Sequence, residues 1–396
     1  MTQRRSFTAL AALALVAACS DGNGNVKPKA ISSLSTLGLG AVTERFTAEV
    51  NVYGNYAYTT TWGNRASVRG NAVKIWDISG TVPLLVDSLI VTGATTLGDV
   101  QAVGDPKILV VATEVAGGSI VIYDLTTPAH PTLITRYSSA NTTNGVHTAE
   151  VQRVNGVLYG FLCIDPSGGA PARLTIVDLT TPSAPREVFS QPMGNPYVHD
   201  TYVRDGILFT ALWKDGMKIW DIGGGGKGGS PSSPVAIGAA RTVGGEVHNI
   251  YWYHDASNGS KQFAFVGEEG QGTIGSAASG DVHVVDVSNM AAPREVAFYH
   301  VAGAGTHNFS VDETNGVLYA AFYNGGVRAL NVRGDLGTCA ASAKAADGRC
   351  DLTKMGRELA QGLQSGAPVY VWGVQRVGSF VYASDMLNGL WKLRVQ

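Results

Sequence analysis

Three histidines recur at one place in a repeated phrase in the second half of the chain. They occur as His199-Asp200, His248-Asn249 and His307-Asn308, each at the start of a short stretch of alternating apolar residues. Imidazole nitrogens that converge on one point are ligands for transition metals such as Zn, Cu, Fe or Mn. The spacing therefore predicts a metal or ligand site, provided that the fold brings these side chains together.

Acidic residues lead the corresponding stretches elsewhere in the chain. Alignment of the stretches places Glu49, Asp99 and Glu150 at the position of the three histidines, and Gly373 at the seventh. His147, three residues before Glu150, adds a fourth imidazole nearby. We therefore predict a ring of histidines and carboxylates at one level, with an open side at Gly373.

This ring has two interpretations that the sequence leaves open. In the first, the histidines bind a transition metal, and the carboxylates are further ligands or acceptors that fix the imidazole tautomers. In the second, the ring is structural, and the Asp and Asn that follow the histidines satisfy loop backbone groups. The residues assigned to the metal site are His199, His248, His307, Glu150, His147, Asp99 and Glu49. No catalytic residue and no organic cofactor is assigned.

The elements that would carry the ring are short strands in groups of four. The third strand of a group ends in an apolar-x-apolar-x-Asp phrase, as in Met217–Gly223. Related phrases begin at Val73, Ile120, Leu174, Val282, Val327 and Gly389. Seven such groups predict an all-β fold, a seven-bladed β-propeller with four-stranded antiparallel blades. The first strand of each blade lines the axial channel, so the ring would face that channel.

The two ends of the propeller are predicted to share one blade. The last phrase has no outer strand after it, so the N-terminal segment Ala41–Phe46 is expected to complete the seventh blade. The propeller would then span residues 41–396, with an insertion at about 334–367. One helical face of that insertion is predicted to carry Leu352, Met355, Leu359 and Leu363.

Cysteines give two further predictions. Cys339 and Cys350 flank ten residues within the insertion and are expected to form a disulfide in an oxidising compartment. Cys163 lies in a predicted second strand and is expected to be a small buried side chain.

The repeated phrases resemble the LVIVD repeat of bacterial β-propeller proteins. The resemblance rests on Gly54–Tyr58, on the Asp phrases and on the prolines that follow them. The His-Asp and His-Asn phrases are similar to those of the choice-of-anchor B members of that group. The resemblance covers residues 45–396 and implies the propeller fold, but propellers host many activities and it implies no particular one.

The N-terminus predicts a bacterial lipoprotein. In residues 1–19, Arg4-Arg5 precedes the short apolar run Phe7–Ala18, and small residues before Cys19 match a lipobox. Lipidated Cys19 would be the anchor, and residues 20–40 would be a flexible tether. We expect a periplasmic or cell-surface protein, with the outer membrane favoured. The arginine pair leaves both Sec and twin-arginine export open.

Composition limits the kinds of partner that the protein is expected to bind. The chain of 396 residues has a net charge of −2, which argues against nucleic acid as a partner. No apolar stretch is long enough to span a bilayer, so the membrane would be reached only through the lipid. One predicted function is a monomeric binding or scaffold propeller that presents its channel face to an unknown protein or small-molecule ligand. The alternative is a metal-dependent enzyme, an oxidoreductase or hydrolase, that uses the ring.

Overall fold

The structure is a computed structural model that describes residues 31–396 apart from residues 116 and 365. The predicted signal peptide, Cys19 and the first part of the predicted tether lie outside the described residues, so lipid anchoring stays a prediction. No helix within the described residues has the length and apolar character needed to cross a membrane.

The described residues form seven blade sheets, six of four strands and one with a short fifth strand, and these build the predicted seven-bladed β-propeller of four-stranded antiparallel blades. The first strand is β1 (Leu34–Ala41), and blade 1 contains β2 (Phe46–Tyr53), β3 (Tyr56–Trp62), a small hairpin of β4 (Asn64–Arg65) and β5 (Val68–Arg69), then β6 (Ala72–Asp77) and β7 (Leu84–Ile90). Blade 2 contains β8 (Leu97–Gly104), β9 (Lys107–Thr113), β10 (Ser119–Asp124) and β11 (Thr132–Tyr137). Blade 3 contains β12 (Val146–Val154), β13 (Val157–Ile164), β14 (Arg173–Asp178) and β15 (Arg186–Pro192).

The second half of the propeller repeats this plan. Blade 4 contains β16 (Asp200–Arg204), β17 (Ile207–Ala211), β18 (Met217–Asp221) and β19 (Val235–Ala240). Blade 5 contains β20 (Val247–Trp252), β21 (Phe263–Glu268), β22 (Val282–Asp286) and β23 (Arg294–Tyr299). Blade 6 contains β24 (Phe309–Asp312), β25 (Val317–Ala321) and β26 (Val327–Asn331), followed by a 3₁₀ turn (Ala341–Ala343), β27 (Cys350–Asp351) and the outer strand β28 (Glu358–Gly362). Blade 7 contains β29 (Val371–Val377), β30 (Phe380–Asp385) and β31 (Gly389–Val395).

The Asp that ends a third strand stabilises the turn into the outer strand. Asp77, Asp124, Asp178 and Asp286 each accept a hydrogen bond from the backbone N–H two residues later, at 2.6–2.9 Å. A side chain that binds its own backbone in this way favours a tight turn. The repeated phrase therefore encodes both a buried strand and the turn that ends it.

The hydrophobic core lies between the faces of neighbouring blades. Ile120 and Ile122 of β10, for example, pack with Val151 of β12 and Leu162 of β13 in one buried cluster. Each blade thus buries one face against the blade before it and the other against the blade after it, which is why single blades need their neighbours.

The seventh blade is closed by the N-terminal segment, as predicted, but by different residues. Strand β1 pairs antiparallel with β31, from Leu34 opposite Val395 to Ala41 opposite Gly389. The closing strand is therefore Leu34–Ala41 and not Ala41–Phe46, and residues 34–40 belong to the blade and not to the tether.

Close packing explains why a glycine-containing stretch forms this strand. A Cβ atom added at Gly40 would lie 2.5 Å from the Trp76 ring, and one at Gly38 would lie 2.7 Å from a Val82 methyl group. These glycines allow β1 to lie directly against blade 1. The same residues gave the segment its linker-like composition.

The helix predicted in the insertion is wrong. Glu358–Gly362 forms β28, which pairs with β26 as the outer strand of blade 6. The need to complete a four-stranded blade thus overrides the helical spacing of the leucines. Leu352 is buried against the core of blade 5, where β27 lies parallel to β23. The predicted Cys339–Cys350 disulfide is present, and Cys163 is a free, buried thiol, as expected.

Candidate metal centre at the mouth of the channel

The predicted histidines reach the channel where the innermost strands begin. The pairing of β20 with β21 shifts at His248, and that of β12 with β13 shifts at His147. Such β-bulges redirect a side chain and are common beside functional sites. His199 and His307 lie just before the first residues of β16 and β24. Irregular backbone at the strand ends therefore presents all four imidazoles.

Four imidazoles form a continuous row, the imidazole arc, made of His147, His199, His248 and His307. Neighbouring ring centroids along the arc are 4.2, 4.1 and 4.0 Å apart. The Nε2 atoms of His147 and His199 are 2.9 Å apart. Trp372 continues the row, with its ring centroid 4.2 Å from that of His307. The structure thus brings together the four histidines that the sequence predicted.

Three acidic residues that the sequence analysis missed lie against the arc. We call Glu114, Asp165 and Glu269 the outer carboxylates, and each follows the last residue of a second strand, β9, β13 or β21. Glu269 Oε2 lies 3.5 Å from His199 Nε2 and 3.7 Å from His248 Nε2. An alignment of the second-strand ends, rather than of the first strands alone, would have shown this recurrence of acids.

The other two outer carboxylates approach the far side of His147. Glu114 Oε1 lies 3.5 Å from His147 Nδ1, and Asp165 Oδ1 lies 3.9 Å from the same atom. Trp62 Nε1 donates a hydrogen bond of 3.2 Å to the other oxygen of Glu114. His147 therefore has an imidazole neighbour at Nε2 and carboxylate neighbours at Nδ1.

The carboxylates that were predicted to share the level of the histidines lie at another level. Glu150 precedes the last residue of β12, Val154, by four positions, and Asp200 precedes the last residue of β16, Arg204, by four positions. The structural equivalent of Glu150 is therefore Asp200, and His199 is one residue earlier. The predicted single ring is therefore two rings, because the alignment of the blades was displaced by one residue.

The second level is an inner ring of Glu49, Asp99, Glu150, Asp200, Asn249 and Asn308. Asn249 Nδ2 donates to Asn308 Oδ1 at 3.3 Å, and Asn308 Nδ2 donates to Glu49 Oε1 at 2.5 Å. Trp372 Nε1 also donates to Glu49 Oε1, at 2.6 Å. The ring lines an axial cavity of about 370 Å³, and the imidazole arc lines the same cavity.

We predicted that Gly373 leaves one side of the ring open, and this prediction is wrong. Trp372, the residue before it, occupies the corresponding place in blade 7 and contacts His307. A Cβ atom at Gly373 would lie 3.1 Å from Glu49 Oε2 and 2.8 Å from Ser384 Oγ. Glycine at this position makes room for the inner ring instead.

The charge states of the arc are set by burial and by the outer carboxylates. Burial lowers the pKa of His199, His248 and His307 well below the usual range, and neighbouring imidazoles lower each further. Burial opposes charge on His147 as well, but Glu114 and the other outer carboxylates raise its pKa to about 10. Burial raises the pKa of Glu269 to about 7. Three imidazoles are thus neutral, the state in which a nitrogen lone pair binds a metal.

Three of the four carboxylates of the inner ring, those of Glu49, Glu150 and Asp200, are held largely protonated at neutral pH, and Asp99 is the one most readily ionised. Burial and the charge of Asp99 raise the pKa of Glu49 to about 8, and burial raises that of Asp99 to about 6. Burial and the other ring carboxylates raise the pKa of Glu150 and Asp200 well above the usual range. The ring is therefore a set of crowded acids, in contrast to the neutral nitrogens of the arc.

The arc residues fit a transition metal ion. His199 Nδ1 and both nitrogens of His248 and of His307 are buried without a hydrogen-bond partner among the described residues. Unsatisfied buried nitrogens are costly, and metal coordination satisfies them. Two nitrogens bound to one tetrahedral metal at about 2.1 Å lie about 3.4 Å apart, and the Nε2 atoms of His147 and His199, which share a hydrogen bond of 2.9 Å, need only a small separation to reach that distance. Ligand atoms of His199, His248 and Glu269 also lie within 4.8 Å of one another.

A second cavity opens on the outer side of the arc. This mouth cavity of about 570 Å³ is lined by the outer carboxylates, His147 and His199, and by aromatic side chains that include Trp62, Tyr197, Trp213 and Trp372. Trp213 stacks on His199 with ring centroids 5.1 Å apart. Within the part of the chain that the structure describes, no lysine or arginine lines it. The arc therefore separates an inner acidic chamber from an outer chamber that a small molecule can enter.

The fold and this site define a class: a β-propeller with a histidine-rich channel mouth. Comparison with protein families matches the LVIVD repeat at residues 44–66, 170–191 and 277–301. The second and third matches cover the third and outer strands of blades 3 and 5, where the Asp turns lie. The chain is thus an LVIVD-repeat β-propeller. No curated protein matches it.

Proposed function

We propose that the protein is a lipid-anchored, extracytoplasmic β-propeller that binds a transition metal ion at the mouth of its channel. The ligands would be His199, His248 and Glu269, with His147 Nε2 as a further donor. The observation that carries the proposal is the pair of buried Nε2 atoms beside Glu269 Oε2: His248 Nε2 has no hydrogen-bond partner, and His199 Nε2 has only the imidazole of His147. This donor set suits Zn, Cu, Fe or Mn.

Backbone strain at the mouth supports this location. Val115, Trp213, Glu246 and Tyr323 hold φ angles of +61°, +54°, +60° and +33°. Bulky side chains rarely adopt the left-handed region, and such strain concentrates at functional sites. Tyr323 donates a short hydrogen bond to Glu269 Oε1, which leaves Oε2 directed at the histidines. The strained residues thus help to hold the proposed ligands in place.

A metal-dependent enzyme, an oxidoreductase or a hydrolase, is the second candidate function. The observation in its favour is the mouth cavity of about 570 Å³ directly beside the proposed ligands. A metal with a free coordination position on that side would polarise or oxidise a bound molecule. In the first candidate function the same cavity receives a ligand or partner without chemistry.

Metal content tests the proposal. The chain from residue 20 onward is purified without chelator, and its metal is measured by plasma mass spectrometry. We expect at least about one ion per chain in the wild type and almost none in the His199→Ala/His248→Ala double variant. The matched control is His130→Ala/His300→Ala, because these histidines are exposed, with 64% and 56% of their side-chain surface accessible. Absence of metal from the wild type after reloading with Zn, Cu, Fe and Mn would contradict the proposal.

Anchoring needs a separate test in cells. The support for it is the lipobox before Cys19 and the apolar run that precedes it. Wild-type protein should fractionate with membranes and gain the mass of a lipid at Cys19, whereas Cys19→Ser protein should be released. Membrane association of the Cys19→Ser variant would count against the lipid anchor.

A further inference from the structure

His147 occupies a special place in the arc because each of its ring nitrogens faces a different group of ligand atoms. Its Nε2 lies 2.9 Å from His199 Nε2, on the side of the metal site proposed above. Its Nδ1 faces Glu114 and Asp165 at 3.5 and 3.9 Å. The ligand atoms of Glu114, His147 and Asp165 lie within 4.8 Å of one another. This group is distinct from the group of His199, His248 and Glu269 and touches it only through His147.

We propose that Glu114, His147 and Asp165 bind a second metal ion, and that the His147 ring bridges the two ions through its two nitrogens. This inference rests on the proposed metal function and extends it from a mononuclear to a dinuclear centre. Metal–nitrogen bonds of about 2.1 Å on both sides of an imidazole ring place two ions about 6 Å apart. The free His147 ring carries a proton on each nitrogen, so it releases one proton to solvent when Nε2 binds the first ion and the other when Nδ1 binds the second ion.

The free oxygens of this group support a ligand role rather than a purely orienting one. The Trp62 indole donates to Glu114 Oε2 and leaves Oε1 directed at His147. No described residue donates a hydrogen bond to the Asp165 carboxylate, although the residue is only partly exposed, with 24% of its side-chain surface accessible. The distances of 3.5 and 3.9 Å to His147 Nδ1 exceed a hydrogen bond and leave room for an ion between the three ligand atoms.

The backbone around this group is shaped for close approach. Asp165 N–H donates to Gly145 O at 3.0 Å. A Cβ atom at Gly145 would lie 2.6 Å from Val115 N and 3.0 Å from Asp165 Oδ2. Gly145 has a φ of +132°, and Val115 also has a positive φ. A glycine and a strained valine thus hold the Glu114 and Asp165 loops against each other at the mouth.

The stoichiometry of Cu²⁺ binding tests the bridge. The metal-free chain from residue 20 onward is titrated with Cu²⁺, and bound copper and the paramagnetic resonance spectrum are measured together. We expect two ions in the wild type, with a signal much weaker than two isolated Cu²⁺ ions because the bridge couples their spins. We expect one ion with a full signal in Glu114→Gln/Asp165→Asn. The matched control, Asp105→Asn, changes a carboxylate outside both groups with 94% of its side-chain surface accessible and should retain two coupled ions.

Each other outcome overturns the bridge in a recognisable way. One ion in both the wild type and the double variant would mean that Glu114 and Asp165 only position His147, and the mononuclear proposal would stand. Two ions in the double variant would place the second ion elsewhere. One ion in the wild type and none in a double variant with unchanged circular dichroism and melting temperature would place all these ligands around one ion. No ion in the wild type would remove the proposed function together with the bridge.

Discussion

The imidazole arc and the inner ring lie in one channel, come from adjacent residues and yet differ in chemistry. His199 belongs to the arc and Asp200 to the ring, and His248 and Asn249 are divided in the same way. The arc offers neutral nitrogens without partners, whereas carboxamide and indole N–H groups already bind Glu49 in the ring. A shift of one residue along the chain therefore separates the proposed metal ligands from a set of buried acids.

The two levels differ in how their buried polar groups can be stabilised. Burial of a carboxylate is relieved by protonation, so most of the ring carboxylates become neutral without a cation. A neutral imidazole already has one N–H to donate and one lone pair to fill, and the buried arc offers partners for few of them. A metal ion satisfies the arc, whereas the ring needs only protons. Buried nitrogen atoms without hydrogen-bond partners are thus a better guide to a metal site than the position of a side chain beside a channel.

The strongest test of this contrast places the same residue at adjacent positions of the two levels. His199→Asn should abolish the stabilisation by Zn²⁺, and Asp200→Asn should retain it. A ligand at about one hundred times its dissociation constant stabilises by about 2.7 kcal/mol, which for a domain of this size is a rise of roughly 3–4 °C in melting temperature. Differential scanning calorimetry with and without Zn²⁺ measures it. Equal loss in both variants would mean that the two levels bind metal together.

The fold was predictable because its signals are local and repeated. The apolar strand, the Asp and the following Ser or Thr recur in blades 1, 2, 3 and 5 and correspond to one strand and one turn. The closing strand was misplaced because Gly38 and Gly40 resemble a linker until their contacts with Val82 and Trp76 are seen. The insertion was misassigned because helical spacing of four apolar residues is a weaker constraint than completion of blade 6.

Half of the site was predictable and half was not. His199, His248 and His307 stood out because their blades share one phrase. Glu114, Asp165 and Glu269 each follow a second strand, whereas the alignment compared only the first strands, and their contacts with the arc are seen only in the assembled propeller. The level of Glu150 was misjudged because a β-bulge at His147 adds a residue that alternation alone does not reveal.

A smaller effect is expected from a residue that orients an arc ligand. Tyr323→Phe removes the hydroxyl that donates to Glu269 Oε1 and should weaken metal binding by about 10–100-fold without loss of the fold. Competition with a chromophoric chelator measures the affinity. Tyr370→Phe is the matched control, because Tyr370 stacks on Tyr323 at 4.5 Å and donates to Gly272 O instead. A similar weakening in both variants would attribute the effect to packing rather than to Glu269.

The smallest effect is expected in the inner ring and concerns protons rather than metal. Burial holds the pKa of Glu150 well above its ordinary value of 4.5, so the folded state binds a proton that the unfolded state releases as the pH rises past that value. The stability of the wild type therefore falls as the pH increases above about 4.5. Glu150→Gln removes this dependence and should raise the melting temperature by a few degrees at pH 7–8, with little change at pH 4.

Thermal unfolding across that pH range measures the effect in the metal-free protein. The His248→Gln variant provides the contrast, because burial holds the pKa of His248 well below its ordinary value and the folded imidazole takes up a proton only at lower pH than the unfolded one. Its unfolded state gains a proton only below about pH 6.5, so this variant should gain stability at pH 4 rather than at pH 8. If Glu150→Gln instead destabilised the protein at pH 8, the carboxylate would be charged and held by a cation. The inner ring would then resemble the arc, and the division between the two levels would fail.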